Sequence, residues 1–268
     1  QVGKRSFFTT SKRKPTIAVR SFYQPYFKQG ATIVPRSLWF VEVKSHPVFG
    51  FDPSLPYVST AERAQEQAKA AYKGLRLEAN IEKDFLYATL LSTDIVPFGH
   101  LDFRLVVLPL LPSGKHFKVL SVDEARNSGF LNLASWLDKA QGEWRERRGE
   151  KAERMDVQEW LDYRRKLSSQ GRAQYKVLYP TAATYLCACV VEDKPISFEV
   201  EGQAVEIQGF VAESKEYYFD TDDKEEAYYL AAVLNSPVVD ELLKPMQSRG
   251  LWGPRDIHKK VLEISIPQ

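Results

Sequence analysis

Between Lys244 and Lys260 the sequence sets Lys244, Arg249, Arg255, Lys259 and Lys260 against a single acid, Asp256, and interleaves them with Gly250, Trp252, Gly253 and Pro254. Cations at that density neutralise phosphates, which gives salt-dependent and sequence-blind affinity for nucleic acid, and an arginine can also read a guanine edge. Gly250 and Gly253 would let the backbone approach a sugar–phosphate chain closely. A turn packed by Leu251 and Trp252 explains the same residues structurally, and the two readings are compatible. Arg36, just after Pro35, is a second candidate contact, with a strand-end ion pair as its alternative. Lys4, Arg5, Lys12, Arg13, Lys14 and Arg20 form an N-terminal run without an acid, either a solvated surface or part of an electrostatic footprint. The net charge is only +2, so the placement of charge carries this argument and its sum does not.

Other chemistry lacks its residues. The chain has no Gly-x-Gly, Pro-Pro, Gly-x-Ser-x-Gly or His-Glu-x-x-His, so it offers no candidate for dinucleotide loops, hydrolase elbows or zinc-protease helices. Glu42-Val-Lys44 has a nuclease-like form that is frequent by chance, and surface charge on a strand accounts for it. Cys187 and Cys189 are the only cysteines; their alternation puts both thiols on one face of a strand. His46, His100, His116 and His258 are scattered singly. No metal-ligand set or disulfide framework forms from these, and two structural thiols suit a reducing cytosol. The expectation is therefore no catalytic, cofactor-binding or metal-binding residue in this chain.

The elements that must position the basic residues read as α/β (α+β), with a mixed sheet, flanking helices and a helical middle. At 44% hydrophobic and 12% aromatic, the 268 residues can bury a substantial core. Strands are expected at Thr16 to Phe22, Ala31 to Val43, Phe103 to Leu111, Tyr175 to Val191 and Ile196 to Val211, with a last one at Val261 to Ile266. The run at Phe103 to Leu111 is apolar enough to be covered on both faces. Helices are expected at Thr60 to Leu77, at Ile81 to Leu91, and as a pair around Gly149 within residues 121–173, where near-cancelling charges imply an ion-paired, solvated face. Asp222 should open a helix at 227–234, and Ser236-Pro237 should cap another. No apolar run is long enough to cross a bilayer as a helix. The start at Gln1, without a Met or a signal peptide, reads as a trimmed piece of a longer cytoplasmic chain.

Tyr228-Tyr-Leu-Ala-Ala-Val-Leu-Asn-Ser-Pro237, then Arg249-Gly-Leu-Trp-Gly-Pro-Arg-Asp-Ile-His-Lys-Lys260, then Leu262-Glu-Ile-Ser-Ile-Pro267 resembles the end of a target-recognition domain. The family is that of the C-terminal specificity domains of adenine-N6 DNA methyltransferases of restriction-modification systems. Gln29-Gly-Ala-Thr-Ile-Val-Pro-Arg36, Phe85 to Ser92 with Asp94-Ile95 and Pro97-Phe98, and Tyr175 to Tyr179 look like further segments of it. The resemblance spans about Tyr26 to Pro267; the middle, 121–173, matches no motif, being either a specificity segment or an insertion. It implies that residues 1–268 are one DNA target-recognition domain without catalysis of its own. Its partners would be double-stranded DNA and an upstream methyltransferase domain of the same polypeptide that uses S-adenosylmethionine, with no membrane. It adds His258 to Arg36, Arg249, Arg255, Lys259 and Lys260 as DNA-binding candidates. The alternative is a protein-interaction module of a DNA-modifying complex, without direct DNA readout.

Overall fold

The computed structural model describes residues 21–268 apart from Gln208, Gln247, Leu251, Trp252, Asp256, Ser265, Pro267 and Gln268, with the backbone alone for Pro245, Ser248–Gly250, Gly253–Arg255, His258 and Lys259. The expected Thr16 strand and the N-terminal basic run lie outside the described residues, except Ser21 and Phe22, which are not in a strand.

Strand β1 (Lys28–Gln29) precedes a single helical turn, α1 (Arg36–Trp39), which leads into β2 (Phe40–Lys44), β3 (Tyr57–Thr60), α2 (Glu62–Glu66) and β4 (Glu78–Asn80). Then come β5 (Leu86–Thr89), a small hairpin of β6 (Ile95–Val96) and β7 (Gly99–His100), and β8 (Arg104–Val107). A five-stranded antiparallel sheet results, in the order β4-β3-β2-β8-β5. In β8, Leu105, Val106 and Val107 are 3%, 0% and 0% exposed, so the first part of the expected Phe103 to Leu111 strand is buried on both faces, while the run breaks at Leu108-Pro109 and Leu110 and Leu111 enter the next strand.

A hairpin of β9 (Leu110–Ser113) and β10 (His116–Val119) hands the chain to the helical middle, α3 (Val122–Asn127), α4 (Leu131–Arg147) and α5 (Val157–Leu161). Capping boxes start α3 and α5: the Ser121 and Asp156 side chains accept from the Glu124 and Glu159 N–H groups, and those glutamates reach back. Helix α4 has no side-chain cap of its own. The Glu82 carboxylate, brought from before β5, accepts from the Asn132 and Leu133 N–H groups at 2.9 Å each, so a tertiary contact satisfies the first turn. Trp136 lies on the buried face of α4 and donates to the Leu38 carbonyl at 3.1 Å.

The chain returns to sheet in β11 (Tyr175–Pro180), β12 (Cys189–Glu192), a hairpin of β13 (Ile196–Val200) and β14 (Gln203–Ile207), and β15 (Glu216–Thr221). Glu201 and Gly202 both have positive φ (50° and 78°), the geometry a two-residue hairpin connection needs. The second sheet is antiparallel in the order β1-β15-β11-β12. On it pack α6 (Lys224–Leu234), α7 (Pro237–Leu243) and, after the short pair β16 (Ser248–Gly250) and β17 (Gly253–Arg255), α8 (Ile257–Val261).

The fold is α+β. In place of one mixed sheet the described residues form two larger antiparallel sheets and four two-stranded pairs, and segment 209–213 stitches the two larger sheets together through isolated parallel bridges, Ala31 with Glu213 and Ala88 with Phe210. Thr89 donates to the Val211 carbonyl at 2.7 Å, and the Gln170 amide makes two 2.9 Å bonds to the Ala212 backbone.

Several expectations are corrected. Ile81 to Leu91 is a 3-10 turn, Lys83–Phe85, followed by β5, because Leu86, Tyr87, Ala88 and Thr89 are all buried, so the apolar spacing was not one helical face. Thr60 to Leu77 holds only α2 and a 3-10 turn at Ala70–Tyr72; the Gln65 side chain binds the Leu75 carbonyl, and Gly74, at φ 82°, reverses the chain. Helix α1 interrupts the strand expected at Ala31 to Val43, and Tyr175 to Val191 is two strands with irregular chain between them. The described residues of Val261 to Ile266 form no strand: Val261 ends α8 and a turn follows. Its apolar residues Val261, Leu262 and Ile266 are buried against the second core. The cap of α6 is Asp223, one residue later than expected, accepting from the Glu225 and Glu226 N–H groups. Ser236 and Pro237 cap α7 as the sequence indicated. Both cysteines are free; Cys189 lies in β12 and Cys187 just before it, and burial pushes both thiols up, toward the inert protonated form.

Candidate nucleic-acid interface

The motif residues Leu234-Asn235-Ser236-Pro237 form a joint. Leu234 is fully buried in the core under the second sheet. Asn235 takes the Ala188 N–H on Oδ1 at 3.0 Å and gives Nδ2 to the Ala188 carbonyl at 2.8 Å, behaving as one more strand residue beside the start of β12. Ser236 accepts from the Val238 N–H, and Pro237 occupies the first helical position, where its missing N–H is not needed. The joint fixes α7, and the chain then enters the β16–β17 pair.

In that pair Ser248 stands opposite Arg255, Arg249 opposite Pro254, and Gly250 opposite Gly253. The two arginines therefore occupy adjacent rungs of a two-stranded ribbon, an element of a size that enters a DNA groove. Next comes α8, which carries His258, Lys259 and Lys260; it is anchored by Ile257 and Val261, both fully buried. Lys260 is half-buried. The side chains of Arg249, Arg255, His258 and Lys259, and all of Leu251 and Trp252, lie outside the described residues.

Arg36 is elsewhere. Its Nη1 donates to Gln67 Oε1 at 2.7 Å, its guanidinium lies 5.6 Å from the Phe40 ring centre, and among the described residues it forms no strand-end ion pair. It lines an open cleft of about 1080 Å³ between the β2 side of the first sheet and the β13–β14 hairpin. At one end the hairpin is tied back by Ser45, which donates to Glu201 at 2.7 Å. Its apolar lining includes Phe40, Val41, Phe103, Leu105 and Phe198, and its polar lining includes Arg63 and His100 with the carboxylates Glu42, Asp102 and Glu199. Among the described residues neither Arg36 nor Arg63 makes an ion pair.

Asp94 and Arg104, in the same cleft, are spent on each other at 2.6 and 2.7 Å, and Asp94 also accepts from the Leu91 N–H. Burial alone would raise the Asp94 carboxyl, but Arg104 and the Leu91 N–H outweigh it and hold the pKa below the usual aspartate value. Asp94 therefore stays ionised and locks the base of the β6–β7 hairpin. The sequence reading missed Arg63 and Arg104, which carry no local motif; contact of α1 with α2 brings Arg63, and pairing of β2 with β8 brings Arg104, to the cleft that Arg36 lines.

In the helical middle the expected ion-paired face is present on α3 and α4, where Arg126 meets Asp123 and Asp138, and Arg147 meets Glu143 and Glu146. It does not extend to the turn after α5, where Arg164 and Arg165 make no ion pair among the described residues. Glu42, of the nuclease-like triplet, accepts from the Glu62 N–H and meets no cluster suited to a metal among the described residues. No helix of the described residues is long and apolar enough to cross a membrane.

No protein-family model matches this chain, and no curated protein matches it.

Proposed function

We propose that the chain is the DNA target-recognition domain of an adenine-N6 DNA methyltransferase of a restriction-modification system, reading double-stranded DNA in the cytoplasm for a catalytic domain of the same polypeptide. The observation that carries this reading is the C-terminal unit. Three motif segments, consecutive in sequence, fold onto one core: Asn235 clasps the edge of the second sheet, α8 is buried through Ile257 and Val261, and the ribbon bearing Arg249 and Arg255 is held between them. Backbone cations would set register on the phosphates, and arginines at the groove would select the base pair. The cleft adds Arg36 and Arg63 as two further candidate phosphate contacts, set among the carboxylates Glu42, Asp102 and Glu199. S-adenosylmethionine would be bound by the catalytic domain, and this chain would leave methyl transfer to it.

Selection from a randomised duplex library, followed by fluorescence anisotropy at several salt concentrations, tests the proposal. The expected result is an enriched site whose affinity falls steeply with salt and drops further on Arg255→Ala. No enrichment, or methyl transfer from S-adenosylmethionine by this chain alone, would overturn it.

The protein-interaction reading has one observation of its own. Val48 and Phe49 are 77% and 84% exposed on a loop whose shape is fixed, since His46 Nδ1 accepts both of their N–H groups at 3.1 Å. A Phe49→Ser variant that loses a co-purifying partner, in a chain with no DNA affinity, would favour it.

A further inference from the structure

The turn joining α5 to β11 is strained where it is most basic. Arg164 and Arg165 adopt positive φ, 59° and 57°, a region that side chains other than glycine, asparagine and aspartate rarely enter. Such strain persists only when the surroundings impose it, and it concentrates at functional sites. Here Asp162 imposes it: its Oδ1 accepts from the Leu167 and Ser168 N–H groups at 2.9 and 2.8 Å, and its carbonyl accepts from the Arg165 N–H at 2.7 Å. Buried Leu161 and Leu167 pin the turn on either side.

The cations it displays are uncompensated. Arg164 and Arg165 are exposed and, among the described residues, form no ion pair. Among the described residues Lys166 bonds only a neutral group, Gln29 Oε1, at 2.6 Å, and Gln29 in turn donates to the Ser214 carbonyl. Burial of its ammonium, and then the charge on Arg164, push the Lys166 pKa below the usual lysine value, so an anion arriving here would relieve repulsion that the protein itself leaves standing. The Arg164 guanidinium is also oriented, lying 5.2 Å from the Tyr163 ring centre at the end of a row in which Tyr163 neighbours Trp160 and Trp160 neighbours Trp144.

We propose that Arg164, Arg165 and Lys166 form a phosphate-binding site that takes the DNA backbone, giving the helical middle segment a direct role in holding the duplex. This rests on reading the chain as a DNA-recognition domain. An arginine pair fixed in adjacent left-handed residues presents two guanidinium groups without the freedom of an ordinary loop, and guanidinium suits bidentate contact with phosphate oxygens.

The test uses the whole chain, a fluorescein-labelled duplex carrying the selected site, and the double variants Arg164→Gly with Arg165→Gly and Arg164→Lys with Arg165→Lys. Glycine relieves the backbone strain, so the Gly variant should melt at the wild-type temperature or above it while its affinity falls at least tenfold and its log–log salt slope drops by about two. The Lys variant should keep most of the slope. Wild-type affinity and slope in the Gly variant, with Arg255→Ala still weakened, would overturn this site alone. A wild-type chain with no salt-dependent DNA binding would overturn it together with the function it rests on. Loss of binding to a labelled poly-glutamate probe, with duplex binding unchanged, would assign the turn to an acidic protein and overturn it as well.

Discussion

Asn235 and Ala188 hold each other by a two-way hydrogen bond, 3.0 Å from the Ala188 N–H to Oδ1 and 2.8 Å from Nδ2 to the Ala188 carbonyl. A third bond, from Nδ2 to the Ala231 carbonyl at 2.7 Å, ties the same amide to the last turn of α6. One side chain thus joins the helix end, the sheet edge and the start of α7. Asn235→Ala should cost about 1–3 kcal/mol by leaving the Ala188 N–H unpaired, its carbonyl keeping the Phe98 N–H at 3.0 Å, measured by urea denaturation. Asn235→Asp should be nearly as costly, since it loses the donor. A loss under 0.5 kcal/mol in the Ala variant would show that water replaces the clasp.

Gly30 lies where β1 gives way to the segment stitched to residues 212–213. A Cβ built there would stand 2.2 Å from the Glu213 carbonyl oxygen and 2.4 Å from that of Ala212. Both obstacles are backbone, so the smallest substitution has no side chain to push aside. Gly30→Ala should destabilise by more than about 3 kcal/mol or give insoluble protein, whereas Gly142→Ala, with open space around it, should be neutral or slightly stabilising. Equal melting temperatures for the two variants would contradict this.

Glu216 and Asp94 respond to pH in opposite senses. Burial first, and then the charge of Glu213, push the Glu216 carboxyl well above the usual glutamate value, and its Oε1 has no hydrogen-bond partner. The folded state therefore holds that proton more tightly than the unfolded one. The stability it contributes is complete below pH about 4.3 and declines by about 1.4 kcal/mol per pH unit as pH rises toward the folded-state value. Asp94, held low, contributes stability that is present above pH about 3.9 and lost as pH falls through its folded-state value. Glu216→Gln should match wild type near pH 4 and exceed it increasingly from pH 5 to 7 in urea titrations. A difference that does not change with pH would rule out Glu216 as the source.

Arg36 and Arg63 line the cleft without an ion-pair partner among the described residues, so removing them costs little folding energy. Arg36→Ala and Arg63→Ala should each change stability by less than about 1 kcal/mol, the loss of the Arg36–Gln67 bond and the Phe40 contact being the larger. If each neutralises one phosphate, each variant should reduce the log–log salt slope of DNA binding by about 0.9. Anisotropy titrations from 50 to 200 mM salt measure this, and an unchanged slope in both would remove the cleft from the interface.

How much of this was legible beforehand depends on how local the signal was. Capping shows it: Ser236 before Pro237 marks a helix start wherever it occurs, because cap and capped N–H are two residues apart. Glu82 could not be read as the cap of α4, since 50 residues separate it from Asn132. The apolar run around β8 was visible as a strand because both of its faces are buried. The same uniform burial made β5 look helical, since spacing distinguishes the two only when one face is wet.

The sequence by itself determined where charge is concentrated, which catalytic loops have no residues in this chain, the α+β composition and the cap of α7, all of which depend on neighbours within a few positions. Only the tertiary structure decided which charges are spent and which are left over. Arg104 is neutralised by Asp94 and Lys176 by Asp220, while Arg36, Arg63, Arg164 and Arg165 form no ion pair among the described residues, because an ion pair depends on distance in space, and residues 44 apart such as Lys176 and Asp220 meet only once β11 and β15 have paired.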